Sequence, residues 1–195
     1  MSGGFSEKER EEIRQRLLES GYELSTEVGL KKMTVAMIAK SSGIAVGSFY
    51  NFYASKEDFV IAMIRDTEAG FERKMASHFS KDGTITLKKF LKVFRENFMP
   101  ENNFLLRMKL DDWVWLKSHV KDSAYLNKTN DLKKYEFMFT KLKGIRHDAE
   151  PGVVVNFIKS IYALYQNRDT LFEEALQTNV DLIFDSIYGY LREEH

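Results

Sequence analysis

The sequence contains no cysteine. Disulfide bonds, thiol nucleophiles and cysteine-ligated zinc or iron-sulfur sites are therefore excluded. The histidines are scattered and show no metal-ligand spacing: His78, His119, His147 and His195. His147 beside Asp148 is the nearest approach to a catalytic pair, although such a pair is more often a surface loop. Because a glycine-rich phosphate loop is also missing, we expect no enzymatic activity, no metal and no cofactor.

Prolines and long apolar runs are also scarce. The chain has two prolines, and no segment approaches the unbroken apolar length that a bilayer-spanning helix needs. Met1 to Phe5 is interpreted as a loose leader that lacks the apolar stretch of a signal peptide. We therefore expect a cytoplasmic protein without membrane contacts.

The alternating pattern of β-strands is absent, and apolar residues recur instead at helical spacing. Local signals mark where helices begin and end. Ser6 with Glu9, and Ser55 with Asp58, form capping boxes that start helices, and Gly29 can close the first helix in the left-handed conformation. The sequence therefore predicts an all-α fold of about nine helices.

Later helices are marked in the same way. A long fourth helix is predicted to continue to Asp82, and Phe104 to Lys143 is predicted to hold two more helices. Pro151 suits the first turn of the next helix. Thr170 with Glu173 predicts the cap of the last helix.

Charge is balanced overall but unevenly distributed. The chain has 29 basic and 29 acidic residues, a balance that by itself does not favour nucleic acid as a partner. From Val28 through Lys56, however, there is no acidic residue, while Lys31, Lys32 and Lys40 also lie in this segment. The segment is therefore a candidate cationic surface, unless the gap in acids arose by chance.

A helix-turn-helix is indicated by residues placed around one tight turn. Ala39 lies four residues before Gly43, Ile44 follows the glycine, and Phe49 lies six residues after it. Two helices that cross closely need a small side chain at the crossing, and their turn needs a glycine. Phe49 and Tyr53, four residues apart, supply the buried face of the second helix. An ordinary helical hairpin is the alternative interpretation.

The second helix of this motif, predicted from about Ala45 to Tyr53, leaves small or hydrogen-bonding residues on its outer face. None of them is a carboxylate. They are Ala45, Gly47, Ser48, Tyr50 and Asn51. Such a surface can enter the major groove of DNA.

The run TVAMIAKSSGIAVGSFYNFYASKE, from Thr34 to Glu57, resembles the signature of the TetR family of bacterial repressors. The resemblance implies a helix-turn-helix domain of three helices at residues 6–66 and a larger helical domain at residues 67–195 that binds a ligand and dimerises. Beyond residue 79 the helices carry no motif of their own. The function implied is a repressor that leaves its DNA operator when a small molecule binds.

Carried over by position, the resemblance assigns DNA contacts to several residues. Thr34 matches the family's contact at the start of the second helix, and Lys56 matches the lysine that meets phosphate at the start of the fourth. Four residues match the recognition helix: Gly47, Ser48, Tyr50 and Asn51. The Thr34-capped helix terminus, the Tyr50 hydroxyl and the Lys56 ammonium can each hold phosphate, which positions the protein without reading sequence.

The chain departs from the family at three positions. Val46, Phe52 and Ala54 stand where relatives often have lysine, histidine or tyrosine, and proline respectively. One or two phosphate anchors are therefore expected to be missing. Val46 could instead contact a thymine methyl group, and Ser48 or Asn51 could bond base edges, asparagine being suited to adenine.

Aromatic residues and methionine are abundant, with fifteen phenylalanines, nine tyrosines and eight methionines. Most are interpreted as core and dimer contacts. The resemblance also implies an effector cavity, and the candidates on the corresponding helices are Phe71, Phe94, Phe98, Met108, Trp113, Tyr135 and Phe139. Such a lining would suit a hydrophobic or aromatic ligand of unknown identity.

The final helix has a near-heptad pattern: Leu176, Val180, Ile183, Ile187 and Leu191. The pattern is consistent with a homodimer through the last two helices, and burial within its own subunit is the alternative. A two-fold dimer predicts a roughly palindromic operator on double-stranded DNA. A helical protein-interaction module that has lost DNA binding is the alternative function, supported by Val46, Phe52 and the neutral net charge.

Overall fold

The computed structural model describes residues 6–120 and 128–193. Over this part the fold is all-α, as the sequence predicts. Its helices are α1 (Glu7–Glu27), α2 (Val35–Ser41), α3 (Val46–Phe49), α4 (Lys56–Ala76), α5 (Leu87–Glu96), α6 (Leu110–His119), α7 (Lys128–Phe139), α8 (Pro151–Gln166) and α9 (Leu176–Leu191). Short 3₁₀ turns lie at Phe104–Leu106, Arg168–Thr170 and Glu173–Ala175. The leader Met1 to Phe5 and His195 lie outside the described residues.

The chain divides into two compact units. The first ends at Thr67 and takes in a second segment that begins at Asp111, so it contains α1 to α3, the start of α4 and most of α6. The second begins at Glu68 and contains the remaining helices. The family resemblance instead implies that all of α6 belongs to the larger domain, residues 67–195.

The first unit is organised around helix α1. The capping box of Ser6 and Glu9 is present, with the Ser6 amide donating to the Glu9 carboxylate at 2.7 Å. At Gly21 the α1 backbone touches α4, since an added Cβ would lie 2.6 Å from Cζ of Phe59. Gly29 follows the helix with φ +83°, the left-handed closure that the sequence predicts.

The second unit packs α5, α8 and α9 around an apolar core. Here the structure corrects the expectation that no strand is present. Two short strands, β1 (Ile85–Thr86) and β2 (Leu142–Lys143), pair in parallel, with Ile85 opposite Leu142. Two-residue strands are too short to produce an alternating pattern in the sequence.

Two other sequence predictions are also corrected. Helix α4 ends at Ala76, short of Asp82, because the chain there turns toward β1. Thr170 does not cap the last helix. Its hydroxyl donates to the carbonyl of Asn167 at 2.8 Å, and α9 begins six residues later at Leu176.

Pro151 occupies the first turn of α8, as predicted from its fixed φ and missing N–H. Within residues 6–120 and 128–193, no helix is both long and apolar enough to cross a membrane.

Candidate nucleic-acid interface

Helices α2 and α3 meet at the tight turn that the sequence predicts. Ala39 is fully buried at the crossing, and Gly43 has φ +68°. The amide of Ile44 donates to the Ala39 carbonyl at 3.0 Å, which closes the end of α2. A larger residue at Ala39 would separate the helices, and a side chain at Gly43 would strain the turn.

Helix α3 is held by aromatic contacts on its inner face. Phe49 is fully buried, and its ring lies 5.6 Å from that of Phe59 on α4 and 5.7 Å from that of Tyr53. The Tyr53 and Phe59 rings are 5.0 Å apart, so the three form one cluster. Edge-on and tilted contacts of this kind stabilise beyond simple burial. The cluster fixes the direction in which the rest of α3 points.

The outer side of this segment is exposed. Val46 is 45% exposed and Tyr50 is 55% exposed, although both are large side chains. Ala45, Gly47 and Asn51 are also exposed, while Ser48 is partly buried. Helix α3 spans only Val46–Phe49, so the predicted helix from Ala45 to Tyr53 is too long. Ala45 is its N-cap and Tyr50 its C-cap.

Thr34 lies at the start of α2, where the sequence places it. Its hydroxyl accepts from the amide of Met37 at 3.2 Å, and the residue is exposed. This bond fixes the entry of the chain into α2 and leaves the helix N-terminus accessible.

A cationic side chain that the sequence did not single out also supports the recognition segment. The guanidinium of Arg10 on α1 lies 5.0 Å from the centre of the Phe52 ring and donates to the Asn51 carbonyl at 3.3 Å. Phe52 therefore has a structural use in this chain as the platform for Arg10.

Lys56 lies where α4 begins, but its side chain is already engaged. The ammonium donates to the carbonyl of Lys31 at 3.2 Å and lies 4.2 Å from the centre of the Trp115 ring on α6. Burial lowers the pKa of Lys56 from its ordinary value, and the charges of Glu57 and Asp112 oppose that shift. No local sequence pattern indicates a tryptophan beside this lysine.

Helix α6 is fixed to the loop after α1 by a buried carboxylate. Asp112 is 5% exposed and accepts from the amide of Lys31 at 2.8 Å. The missing side chain of Gly29 makes room for it, because an added Cβ would lie 2.9 Å from both Asp112 oxygens. Asp111, next along the helix, forms an ion pair with the Lys31 ammonium at 3.2 Å. Helix α6 therefore places two carboxylates beside the segment from Val28 through Lys56, which has no acidic residue of its own.

Six of the seven candidate pocket residues lie in the second unit. In the second unit Phe94, Phe98 and Met108 are buried, and Phe71, Tyr135 and Phe139 are partly buried. The Phe94 ring lies 5.6 Å from that of Phe71 and 6.1 Å from that of Tyr135, so these rings are in contact with one another. The seventh candidate, Trp113, is buried in the first unit.

An open groove lies elsewhere in the second unit, between α5 and α9. Its volume is about 440 Å³, and its lining combines apolar with charged side chains: Lys88, Leu91, Lys92, Arg95, Glu96, Met99, Phe184, Asp185 and Tyr188. This groove shares none of the predicted pocket residues.

The histidine and aspartate noted in the sequence do not form a catalytic pair. Asp148 is bound by the guanidinium of Arg146 through two contacts of 2.6 Å, and this partner lowers the pKa of Asp148 to about 2. His147 is exposed. Across residues 6–120 and 128–193, no group of three histidine or acidic side chains is placed to hold a metal ion.

Comparison with known proteins agrees with this geometry. Residues 17–63, which contain the α2-turn-α3 unit, match the family described as bacterial regulatory proteins, tetR family. The transcriptional regulator AcuR of Cereibacter sphaeroides is 32% identical over 80 residues, which are 41% of this chain and 36% of AcuR. The match thus spans about a third of that relative's length.

Solved structures share the fold over most of the chain. SmeT, the repressor of the Stenotrophomonas maltophilia multidrug efflux pump SmeDEF, superposes with a TM-score of 0.61 at 14% identity, covering 93% of this chain and 91% of SmeT. The ketosteroid transcriptional regulator KstR2 of Mycobacterium tuberculosis gives a TM-score of 0.56 at 21% identity, covering 93% and 95%. Residues 17–63 are therefore similar to the tetR family of bacterial regulatory proteins, and the chain shares its fold with these solved structures.

Proposed function

We propose that the chain is a cytoplasmic DNA-binding transcriptional regulator whose helix α3 enters the major groove. One observation carries the proposal. The α2-turn-α3 unit is rigidly packed on its inner side, while its outer side exposes Val46 and Tyr50 with no carboxylate from Val28 through Lys56. Large side chains left in water on a segment that has no acidic residue of its own are suited to contact with a DNA groove.

The residues of this interface have two kinds of role. Thr34, Tyr50 and Lys56 hold the phosphate backbone, and they position the protein without reading the sequence. Asn51, Ser48 and Val46 face the bases, with Asn51 suited to adenine and Val46 to a thymine methyl group. Ala45 and Gly47 are small, which allows the backbone of α3 to approach the groove closely.

The first experiment is a gel shift with the DNA upstream of the protein's own gene. We expect retardation that weakens with salt, because phosphate contacts release counterions. The rival function is a helical protein-interaction module without DNA binding. It is favoured by Val46, which occupies a position where a basic residue would strengthen binding to phosphate. Failure to bind any duplex at low salt would refute the proposal and favour that rival.

The roles of single residues are separated by measuring affinity across salt concentrations. Lys56→Ala is expected to weaken binding to all sequences and to reduce the slope of log affinity against log salt by about one. Asn51→Ala is expected to weaken binding to the specific site by about tenfold and to leave random DNA unchanged, the scale of one good base contact. Equal losses of affinity on both kinds of DNA for Asn51→Ala would show that it reads no base.

A homodimer through α8 and α9 is the second part of the proposal. Four of the five heptad residues of α9 are unsuited to it, since Leu176, Val180, Ile187 and Leu191 are buried within their own subunit, while Ile183 is partly buried. A different face is available. Each of the two helices exposes uncharged residues at helical spacing: Asn156, Ser160 and Ala163 on α8 with Asn167 at its C-cap, and Thr178, Leu182, Ser186 and Gly189 on α9.

These exposed uncharged residues support close helix packing. Leu182 is 58% exposed and lies among small residues, so a second copy could bury it while the backbones approach. Two-fold symmetry would present two α3 helices to a roughly palindromic operator. Light scattering should give the mass of a dimer at micromolar concentration.

The third part is release from DNA by a hydrophobic or aromatic effector, which makes the regulator a repressor. The support is the ring cluster of the second unit, in which Phe71, Tyr135 and Phe139 remain partly exposed beside buried Phe94. Rings that can turn outward would open a site for a flat ligand. Among the similar structures, SmeT was also solved as a complex with triclosan.

Effector binding is tested by competition against the retarded DNA band. A panel of flat hydrophobic compounds should include members that release the DNA and raise the melting temperature of the free protein. The variant Phe94→Leu should change which compounds act, whereas Leu171→Ala, at an exposed site outside the cluster, should not.

A further inference from the structure

We propose that Trp115 is an intramolecular competitor of DNA for the Lys56 ammonium. In the DNA-free protein the ring holds this cation, and phosphate must take it from the ring. The inference rests on the proposed function, in which Lys56 meets the DNA backbone, and it adds a residue on helix α6 that sets the strength of that contact.

The Lys56 ammonium has two partners within the protein. Its ammonium lies 4.2 Å from the centre of the Trp115 ring and donates to the Lys31 carbonyl at 3.2 Å. An ammonium has three N–H donors, and a phosphate oxygen needs a close approach to one of them. The half-buried lysine must therefore leave the ring to be fully available to phosphate. Its flexible four-carbon chain permits that movement.

The position of Trp115 is fixed by the helix that carries it. Asp112 is buried and bound to the Lys31 amide at 2.8 Å, in the space that Gly29 leaves open. The Lys31 amide thus donates to the Asp112 carboxylate, and the Lys31 carbonyl accepts from the Lys56 ammonium. The ring and the cation are held by the same few residues, so their contact belongs to the packing of the first unit.

An aromatic ring is chemically suited to this use. A carboxylate at position 115 would hold the lysine more strongly and would place a negative charge close to the DNA-binding surface. The face of a tryptophan attracts a cation without adding charge, and at a partly exposed site the attraction is modest. Lys56 can therefore be released to phosphate at a small cost.

The contact itself is tested without DNA. In a Trp113→Phe background Trp115 is the remaining tryptophan, and its emission should respond to a charge beside the ring. Lys56→Met, which keeps the length and removes the charge, should shift this emission. Lys40→Met, at an exposed lysine of the same acid-free segment, should leave it unchanged. Identical spectra for the Lys56→Met variant and its parent would overturn the proposal.

Competition is tested with a random-sequence duplex at low salt, because phosphate contacts do not require the operator. Trp115→Leu should bind about two- to fivefold more tightly than the wild type, the scale of one exposed cation–π contact. Trp115→Phe retains an aromatic ring that attracts the cation less strongly, so it should show a smaller gain in DNA affinity. This variant replaces Trp115→Leu if the leucine variant does not fold. Val114→Ala, at a 60% exposed neighbour, should show no gain.

The decisive control is the double variant. In a Lys56→Met background the gain from Trp115→Leu should disappear, whereas a general effect on α6 would persist. Unchanged or weaker binding by Trp115→Leu, or a gain that survives Lys56→Met, would overturn the competition while leaving the proposed function in place. A wild type that binds no duplex would instead refute the proposed function itself.

Discussion

Phe49 and Tyr50 are adjacent residues with different roles, one buried inside the protein and the other exposed on its surface. Phe49 is fully buried against Phe59, while Tyr50, which we propose contacts DNA, is 55% exposed. Phe49 therefore fixes the packing of α3 against the protein, and Tyr50 contributes to the surface that α3 presents to a partner.

Substituting the two residues separates these roles. Phe49→Ala should destabilise the protein by about 3–5 kcal/mol, because it removes a fully buried ring and leaves a cavity. Tyr50→Ala should change the free energy of unfolding by less than about 0.5 kcal/mol, the usual range for an exposed site, and should weaken DNA binding. Urea unfolding followed by circular dichroism measures both. Similar losses of stability would contradict the assignment of roles.

At the scale of elements, helix α6 is joined to the loop after α1 by two aspartates of very different burial. Asp112 is 5% exposed, whereas the Asp111 side chain is 77% exposed. Buried acceptors matter more than exposed ion pairs, because the backbone donor left behind cannot turn to water.

We therefore expect Asp112→Ala to cost about 1–3 kcal/mol by leaving the Lys31 amide without its partner. Asp111→Ala, its matched control on the same helix, should cost at most about 1 kcal/mol. The thermal midpoints of the two variants give the comparison. A loss for Asp111→Ala as large as that for Asp112→Ala would show that charge, and not burial, attaches α6.

The pairing of β1 with β2 has its own electrostatic support. Lys143 on β2 donates to Asp82 at 2.6 Å, and both the amide and the hydroxyl of Thr84 also donate to this carboxylate. Hydrogen bonds from Lys143 and then Thr84 lower the pKa of Asp82 from 3.8 to about 2.

A depressed pKa in the folded state stabilises the fold above the ordinary pKa and ceases to do so as the pH falls through the folded value. Asp82→Asn should therefore be less stable than the wild type at pH 5, and the difference should shrink between pH 3.8 and about 2. Unfolding curves over this range test the prediction. Asp185→Asn, at an exposed aspartate without an ion pair among the described residues, serves as the control. A constant difference for Asp82→Asn would exclude the carboxylate as its cause.

At the scale of the whole molecule, the proposed dimer depends on the exposed uncharged residues of α8 and α9. Leu182 is the largest side chain among those on α9. We expect Leu182→Glu to produce monomers at concentrations where the wild type is dimeric, because a charge would be buried without a partner. Sedimentation measures the change, and the monomer should bind DNA more weakly. Val114→Glu, an equal change on α6, should stay dimeric. A dimeric Leu182→Glu would place the interface elsewhere.

The sequence by itself determined the features that depend on neighbouring residues. The capping box at Ser6, the left-handed Gly29 and Gly43, and the Ala39 to Phe49 spacing are all found where local patterns predict them. Caps, turns and helix faces are set within a few residues, so one stretch of sequence suffices to identify them. The same is true of the similarity to the tetR family, which lies in the continuous segment of residues 17–63.

Tertiary structure alone decided which distant residues meet. Asp112 accepts from the amide of Lys31 from 81 positions away, Trp115 contacts the Lys56 ammonium, and the Phe94 ring meets that of Phe71. No local pattern encodes such contacts, because they depend on how whole helices pack. The family resemblance assigns Lys56 to DNA. In the folded protein its ammonium contacts the Trp115 ring, because folding brings α6 beside the start of α4.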